Sequence, residues 1–225
     1  MSYNLSPAEK DTVRATLSKD AVLRPLIDEL PFPEERIQLR EMYPSLLRSI
    51  VGQQVSTKAA AAIYKRFLMV FGLDGEDDTV APSPEVLAKA VPDELRAAGL
   101  SWSKVSYVIA MAEYFVAHPN AETDLREMDD EAVIAELVSI KGVGRWTAEM
   151  MLIFAMGRTD LLPLDDLAIY QTIMELYDLS PDAKKKDLKK QMTEIAEAWR
   201  PYRSIVCLYL YSWRHVEKQK GGATL

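Results

Sequence analysis

The stretch Val138-Ser-Ile-Lys-Gly-Val-Gly-Arg-Trp-Thr-Ala-Glu-Met150 decides the fold of this chain. An apolar helical run ends in a Gly-x-Gly turn, and a second helical run opens directly after it. Glycine tolerates positive φ and lets an anion approach the backbone, and amides at a helix N-terminus favour negative charge. The stretch therefore predicts two helices joined by an anion-binding turn, although Gly-x-Gly alone is also typical of an ordinary helix–helix turn.

A pair of carboxylates, Asp165-Asp166, follows this stretch and precedes another apolar helical run. An aspartate before a helix caps its first turn and complements its dipole, and we expect one of the two to do so. Both acids could have this structural role. Their combination with an anion-binding turn upstream favours chemistry on DNA instead.

The composition is that of a soluble globular protein. The chain has 225 residues, of which 48% are hydrophobic and 27% are charged. It contains no apolar run of membrane-spanning length and no secretory signal at its start, so we expect a cytoplasmic protein that is nucleoid-associated when bound to DNA. The single cysteine, Cys207, excludes an intramolecular disulfide and a four-cysteine metal site.

The formal net charge of −7 counts against a nucleic-acid-binding protein and would suit a protein–protein scaffold. The charge is unevenly distributed, however. Acidic residues cluster at 74–78, at 122–131 and in the first forty residues. Basic residues lie near the motif-bearing segments, namely Lys58, Lys65, Arg66, Lys104, Lys141, Arg145, Arg200 and Arg203. A local basic face on an acidic protein is therefore compatible with the sequence.

Helical signals dominate the chain, and alternating β-branched runs are scarce, so we predict an all-α fold with roughly ten helices. Ser6, Ser56 and Asp129 each read as an N-cap, and Ser180-Pro-Asp reads as a further helix start. The run Lys184-Lys-Lys-Asp-Leu-Lys-Lys190 is interpreted as a solvated helix face.

Four sequence motifs follow one another along the chain. They are Ser49-Ile-Val-Gly-Gln-Gln-Val-Ser56, Ile140-Lys-Gly-Val-Gly-Arg-Trp-Thr-Ala148, Leu162-Pro-Leu-Asp-Asp166 and Trp199-Arg-Pro-Tyr-Arg-Ser204. On these motifs the chain resembles the helix-hairpin-helix (HhH-GPD) DNA glycosylase superfamily over about residues 40–215. Within it, the chain resembles the alkylpurine branch typified by 3-methyladenine DNA glycosylase II.

The resemblance implies two helical lobes with a cleft between them. Residues 1–40 would pack with residues 168–225 as one lobe. Residues 41–167 would form the other lobe and carry the helix-hairpin-helix at about 130–156. The chain would lack the N-terminal β-domain of longer relatives.

The resemblance also implies the chemistry. Asp166 matches the essential aspartate of the superfamily, and Asp165 would cap the helix and support it. A carboxylate stabilises an oxocarbenium-like sugar, and water then captures it. An alkylated purine is already cationic and departs without a general acid. Strand-cutting relatives carry a lysine where this chain has Trp146, so a monofunctional enzyme is expected, with no required cofactor.

The indole of Trp146 suits a cationic base flipped from the stack, and family register gives Tyr211 as a second wall where relatives often have Trp. Trp146 could instead be a core residue between helices. Gln53-Gln54 matches the wedge that fills the gap left by the flipped nucleotide, with Gln54 slightly favoured. A solvated loop with locally bonded glutamines is the alternative.

The hairpin residues expected to bind phosphate are Lys141, Gly142, Val143, Gly144 and Arg145. The resemblance also implies a monovalent cation, Na⁺ or K⁺, on the backbone carbonyls of Val138, Ile140 and Val143. Arg200 and Arg203 are expected either to reach a phosphate or to hold the two lobes together.

The sequence thus predicts a base excision repair enzyme that removes 3-methyladenine and 7-methylguanine and leaves an abasic site. Its partner would be double-stranded DNA with alkylated bases, and it would act as a monomer without a membrane. Two alternatives are a non-catalytic helix-hairpin-helix DNA-binding module and a glycosylase for another base lesion.

Overall fold

All regular elements in the part of the chain that the structure describes are helices. The structure is a computed structural model, and it describes residues 5–34, 39–75 and 79–221, the side chains of 218–221 excepted. The prediction of an all-α fold is confirmed. The chain divides into two compact units, one formed by Met1–Leu39 with Gly157–Leu225 and the other by Arg40–Met156.

The described residues of the unit Arg40–Met156 form eight helices. They are α3 (Met42–Gly52), α4 (Thr57–Val70), α5 (Pro84–Leu87), α6 (Pro92–Ala97), α7 (Trp102–Ala117), α8 (Ala121–Glu127), α9 (Asp130–Ser139) and α10 (Arg145–Phe154). Helix α3 packs against α4, α7 and α10, and α9 packs against α10. The residues at the centre of this core, Leu46, Ile50, Phe67 and Leu152, are fully buried. The hairpin between α9 and α10 therefore rests on a rigid apolar base.

Local side-chain caps start α4 and α9. The side chain of Ser56 accepts a hydrogen bond from the Ala59 amide, and that of Asp129 accepts one from the Ala132 amide. Both caps were predicted from the sequence. They satisfy amides that have no partner within their own helix, which is why the helices begin where they do.

The other unit contains α1 (Pro7–Leu17), α2 (Arg24–Glu29), α11 (Leu167–Leu176), α12 (Lys185–Ala196) and α13 (Arg203–Gly221). The predicted capping box is present, because Ser6 and Glu9 exchange hydrogen bonds at the start of α1. In the core, the carboxylate of Asp20 accepts hydrogen bonds from the Tyr177 hydroxyl at 2.6 Å and the Trp199 indole at 3.0 Å. Helix α13 packs against α11 and α2.

Three details differ from the sequence expectations. The boundary expected at residue 168 falls at Gly157, because the Ser204 hydroxyl accepts a hydrogen bond from the Leu161 amide and the Ser204 amide donates to the Thr159 carbonyl. The start predicted at Ser180 is wrong, since Ser180 lies in a turn and the helix begins at Lys185. The described residues form thirteen α-helices rather than roughly ten, since short helices such as α2 and α8 have weak periodicity. Among the described helices, none has the length and apolar character needed to cross a membrane.

Candidate active site and nucleic-acid interface

The turn between α9 and α10 is held by its two apolar residues. The side chains of Ile140 and Val143 are only 4% and 5% exposed, and the Val143 amide donates to the Ile140 carbonyl at 3.0 Å. Helix α10 then begins at Arg145 with Gly144 as its N-cap. Because glycine has no side chain with which to cap the helix, the first amides of α10 are available to an external acceptor.

The two hairpin glycines have different surroundings. Gly142 adopts φ +90°, and a Cβ placed on it would lie 2.2 Å from the Tyr107 ring. A Cβ on Gly144 would meet no atom within 4 Å. The hairpin is therefore closed by Tyr107 on one side and open at Gly144, where a phosphate can approach. No pattern in the sequence indicated Tyr107, because it lies in α7, far from the hairpin along the chain.

The segment Gly52-Gln53-Gln54 is joined to this hairpin. The side-chain Nε2 of Gln53 donates a hydrogen bond to the Gly142 carbonyl at 3.1 Å. Gln54 is exposed and has φ +57°, whereas Gln53 is half-buried against the hairpin. The Lys104 ammonium donates to the Val51 carbonyl at 2.8 Å, and burial lowers the pKa of Lys104. The loop is therefore fixed from both sides.

The glutamines and Trp146 line one cavity in this unit. Its volume is about 550 Å³. The indole of Trp146 is 40% exposed, which disfavours the alternative of a core residue. The residues around the cavity are Ser49, Gly52, Gln53, Gln54, Val55, Tyr107, Gly142, Trp146 and Thr147. The structure thus brings together the predicted wedge, the predicted aromatic wall and the first hairpin glycine.

The two basic residues of the hairpin are differently engaged. The Lys141 ammonium donates to the neutral Ser106 hydroxyl at 2.7 Å, so its charge is not neutralised there. The Arg145 guanidinium contacts Glu131 at 2.6 Å and Glu149 at 3.0 Å. The hydrogen bond to Glu131 raises the pKa of Arg145 and lowers that of Glu131. Arg145 was expected to bind phosphate, but to do so its guanidinium would have to leave these carboxylates for a phosphate.

The predicted cation site consists of backbone carbonyls in the same turn. The Ile140 carbonyl already accepts the bond from Val143, but a carbonyl oxygen has a second lone pair with which to bind a cation. The donor set therefore fits a weakly held monovalent ion. No group of three or more His, Cys, Asp or Glu side chains suited to a metal occurs within the described ranges.

Asp166 lies in the other unit, at the start of α11. Its Oδ1 accepts a hydrogen bond from the Ile169 amide at 2.9 Å, and the residue is 7% exposed. The assignment of the helix cap to Asp165 is therefore wrong. The Asp166 amide donates to the Pro163 carbonyl in the preceding turn, so Asp165 lies one residue before the N-cap position. The Asp165 carboxylate instead accepts a hydrogen bond from the Lys189 ammonium at 2.5 Å. Asp166 is thus an anion held at the positive end of a helix.

The motif Trp199–Ser204 fixes the loop that leads to Asp166. The Arg203 guanidinium contacts the Asp160 carboxylate at 2.7 Å and also donates to the Asp160 carbonyl at 2.6 Å. Arg200 contacts the same carboxylate at 2.6 Å. Ser204, which is 1% exposed, bonds to the same loop. Both arginines therefore anchor the approach to Asp166 within their own unit.

Tyr211 lies in α13 and is half-buried. Its neighbour Tyr209 is 1% exposed and accepts a hydrogen bond from Arg14. Burial raises the pKa of Tyr209. Of the two tyrosines, only Tyr211 has surface with which to contact a ligand.

Comparison with known proteins agrees with this geometry. A family model described as "HhH-GPD superfamily base excision DNA repair protein" matches residues 47–199, which is more than half of the chain. The chain belongs to this superfamily. The HhH-GPD resemblance inferred from four motifs is therefore confirmed.

Individual HhH-GPD relatives carry consistent names. The chain is 32% identical to DNA-3-methyladenine glycosylase 1 of Schizosaccharomyces pombe, over 80% of this chain and 75% of that protein. It is 30% identical to a putative DNA-3-methyladenine glycosylase of Bacillus subtilis, over 78% of this chain but only 59% of that longer relative. A solved structure of S. pombe 3-methyladenine DNA glycosylase in complex with abasic DNA matches with a TM-score of 0.73 at 28% identity, covering 89% of this chain and 95% of that one.

Proposed function

We propose that this HhH-GPD protein is a monofunctional DNA glycosylase of base excision repair. It binds double-stranded DNA and hydrolyses the N-glycosidic bond of flipped-out alkylated purines, with 3-methyladenine and 7-methylguanine as substrates. The observation that carries the proposal is the buried carboxylate of Asp166, fixed at the start of α11 by the Ile169 amide. The names of the relatives support the substrate class.

Asp166 supplies the one charge that this reaction needs. Cleavage of the glycosidic bond leaves a cationic, oxocarbenium-like sugar, which a nearby carboxylate stabilises until water adds to it. The alkylated base departs as a neutral molecule because it was cationic in the substrate. No general acid is required. Asp165 supports the site indirectly, because its ion pair with Lys189 holds the turn before Asp166.

Trp146 determines that the DNA strand stays intact. Cleavage of the strand by β-elimination requires an amine that forms a Schiff base with the sugar, and an indole cannot form one. The 40% exposed ring offers instead a π-face on which a cationic base stacks. Tyr211, with its half-buried ring on α13, is proposed to stack on the base as well. Stacking on a tyrosine rather than a tryptophan would affect which alkylated bases are accepted.

Gln53 and Gln54 have different roles in opening the duplex. Gln53 is committed to the Gly142 carbonyl and holds the loop to the hairpin. Gln54 is exposed and occupies the gap left by the flipped nucleotide. The hairpin binds the DNA backbone through Lys141 and through the amides at the start of α10, since the Val143 amide is already bonded to the Ile140 carbonyl. A Na⁺ or K⁺ ion on the carbonyls of Val138, Ile140 and Val143 strengthens this contact without taking part in the chemistry.

Product analysis on methylated duplex DNA tests the proposal. The purified monomeric protein should release 3-methyladenine and 7-methylguanine without added metal or nucleotide, and the abasic strand should break only after alkali. Ethenoadenine and hypoxanthine duplexes define the substrate range. Binding without release of any base would indicate a non-catalytic DNA-binding module, and strand cleavage without alkali would contradict the monofunctional assignment.

A further inference from the structure

Helix α12 carries a concentrated positive charge on an acidic protein. Five of the seven residues from Lys184 to Lys190 are lysines, although the whole chain has a net charge of −7. The helix buries Leu188, Met192 and Ala196. At about 100° per residue, four lysines fall within an arc of about 140° that adjoins this apolar stripe and overlaps its edge at Lys185. This lysine face consists of Lys185, Lys186, Lys189 and Lys190.

The pattern opposes the stability of the helix that carries it. Lys185 and Lys189 are four residues apart, as are Lys186 and Lys190, and like charges at that spacing repel. Lys185 and Lys186 also lie in the N-terminal turn, where the helix dipole disfavours cations, and Asp187 is in the same turn. The residue before the helix, Lys184, provides no side-chain cap. The lysine face is therefore better explained by a binding partner than by the folding of α12.

The contacts within the protein leave most of this charge uncompensated. Lys190 approaches Glu194 at 3.8 Å, but both side chains are largely exposed, so the pair is weak. The Lys185 ammonium lies 5.9 Å from the centre of the Tyr170 ring, which leaves its charge in place. Lys189 has a close carboxylate partner in Asp165, at 2.5 Å. Lys186 is exposed.

The lysine face is directly connected to the segment that holds Asp166. Lys189 bonds to Asp165, which precedes Asp166 in the chain, and Tyr170 beneath Lys185 belongs to the helix that Asp166 caps. The hairpin, by contrast, pairs its Arg145 with two carboxylates and contributes mainly Lys141. An acidic protein that binds DNA needs a further cationic surface, and α12 provides one.

We propose that the lysine face of α12 binds backbone phosphates of duplex DNA beside the nucleotide on which Asp166 acts. Phosphates at the surface of duplex DNA match a row of exposed ammonium groups, and neutralising them releases counterions. The contact carries no sequence information, which suits an enzyme that must inspect DNA of any sequence. The inference rests on the proposed function only in naming DNA as the partner.

The salt dependence of DNA binding tests this surface. The variant Lys186→Gln/Lys190→Gln removes two exposed lysines and leaves the Lys189–Asp165 pair intact. The control Lys19→Gln/Lys89→Gln changes the net charge equally at exposed positions outside α12. Affinity for an undamaged duplex is measured from 50 to 300 mM KCl. Each lost phosphate contact should flatten the slope of log K against log [KCl] by about 0.9, so by about 1.8 for the α12 variant.

The expected result is a flatter slope for the α12 variant and an unchanged slope for the control. Base release at saturating DNA should not change, whereas KM should rise. Removing a repelling pair should leave α12 at least as stable, so unfolding of the variant should occur at the same or higher urea concentration. Equal slopes for the two double variants would overturn the proposal. Because undamaged DNA needs no catalysis, a protein that binds through the lysine face but releases no base would refute the proposed activity alone.

Discussion

Replacement of Gly142 by alanine should disrupt the hairpin severely. Gly142 has φ +90°, where an L-residue is strained by about 1–2 kcal/mol. The new Cβ would also lie 2.2 Å from Cγ of Tyr107, and overpacking of this kind costs about 1–3 kcal/mol. We therefore expect Gly142→Ala to lower the free energy of unfolding by about 2–5 kcal/mol.

Urea unfolding followed by circular dichroism measures this loss. With a slope of about 2 kcal/mol per molar urea, the midpoint should fall by about 1–2.5 M. Gly144→Ser is the matched control. Gly144 has no positive φ, a Cβ there meets no atom within 4 Å, and serine is a good N-cap, so unfolding should change by less than about 0.5 kcal/mol.

A second substitution separates the two causes. In a double-mutant cycle with Tyr107→Ala, the steric part of the Gly142→Ala effect should disappear and the backbone part should remain. The coupling free energy between the two substitutions should therefore be about 1–3 kcal/mol. If Gly142→Ala unfolds at the wild-type urea concentration, the reasoning about this close contact is wrong.

Four further substitutions test other parts of the molecule. Burial raises the pKa of Asp20, but hydrogen bonds from a phenol, an indole and the Val22 and Leu23 amides outweigh it and lower the pKa overall. The carboxylate therefore stabilises the fold above the unfolded pKa of about 3.9, and this stabilisation is lost as the pH falls through the lower folded value. Asp20→Asn should accordingly melt below wild type at pH 7, by a margin that shrinks as the pH is lowered to 3 and below, and a deficit that does not change with pH would contradict this role. Glu131→Gln frees Arg145 from an exposed partner, so duplex binding measured by fluorescence anisotropy should strengthen by up to about fivefold, or about 1 kcal/mol; weaker binding would contradict it. Gln54→Ala should slow base release with less than about 0.5 kcal/mol change in unfolding, whereas Gln53→Ala should lose about 1 kcal/mol of stability, and the reverse pattern would exchange their roles.

The features that the sequence predicted are mostly local. The caps at Ser6, Ser56 and Asp129 depend only on a side chain and an amide three residues away, so the residue types and their spacing suffice. The hairpin was likewise predictable because both glycines lie within one turn. The choice of Asp166 as the proposed catalytic carboxylate came from family register, because the local chemistry of the two acids does not distinguish them.

The features that the sequence missed depend on tertiary contacts. Tyr107 reaches Gly142 from α7, and Gln53 reaches the same residue from the end of α3, so no local pattern indicates either contact. The helix cap was given to Asp165 because two adjacent acids have the same capping chemistry, and only the turn from Pro163 decides between them. The pairing of Arg145 with Glu131 depends in the same way on how the two hairpin helices pack.

Single-turnover base release from methylated duplex DNA tests the central claim most directly. Wild type, Asp166→Asn and Asp165→Asn are compared at excess enzyme. Asparagine still caps a helix, so Asp166→Asn should fold and should bind DNA within about tenfold of wild type, or about 1.4 kcal/mol. Its rate of release should fall by about 10²–10³-fold, whereas Asp165→Asn should stay within about tenfold of wild type. Equal rates for wild type and Asp166→Asn would contradict the assignment of Asp166 as the catalytic residue.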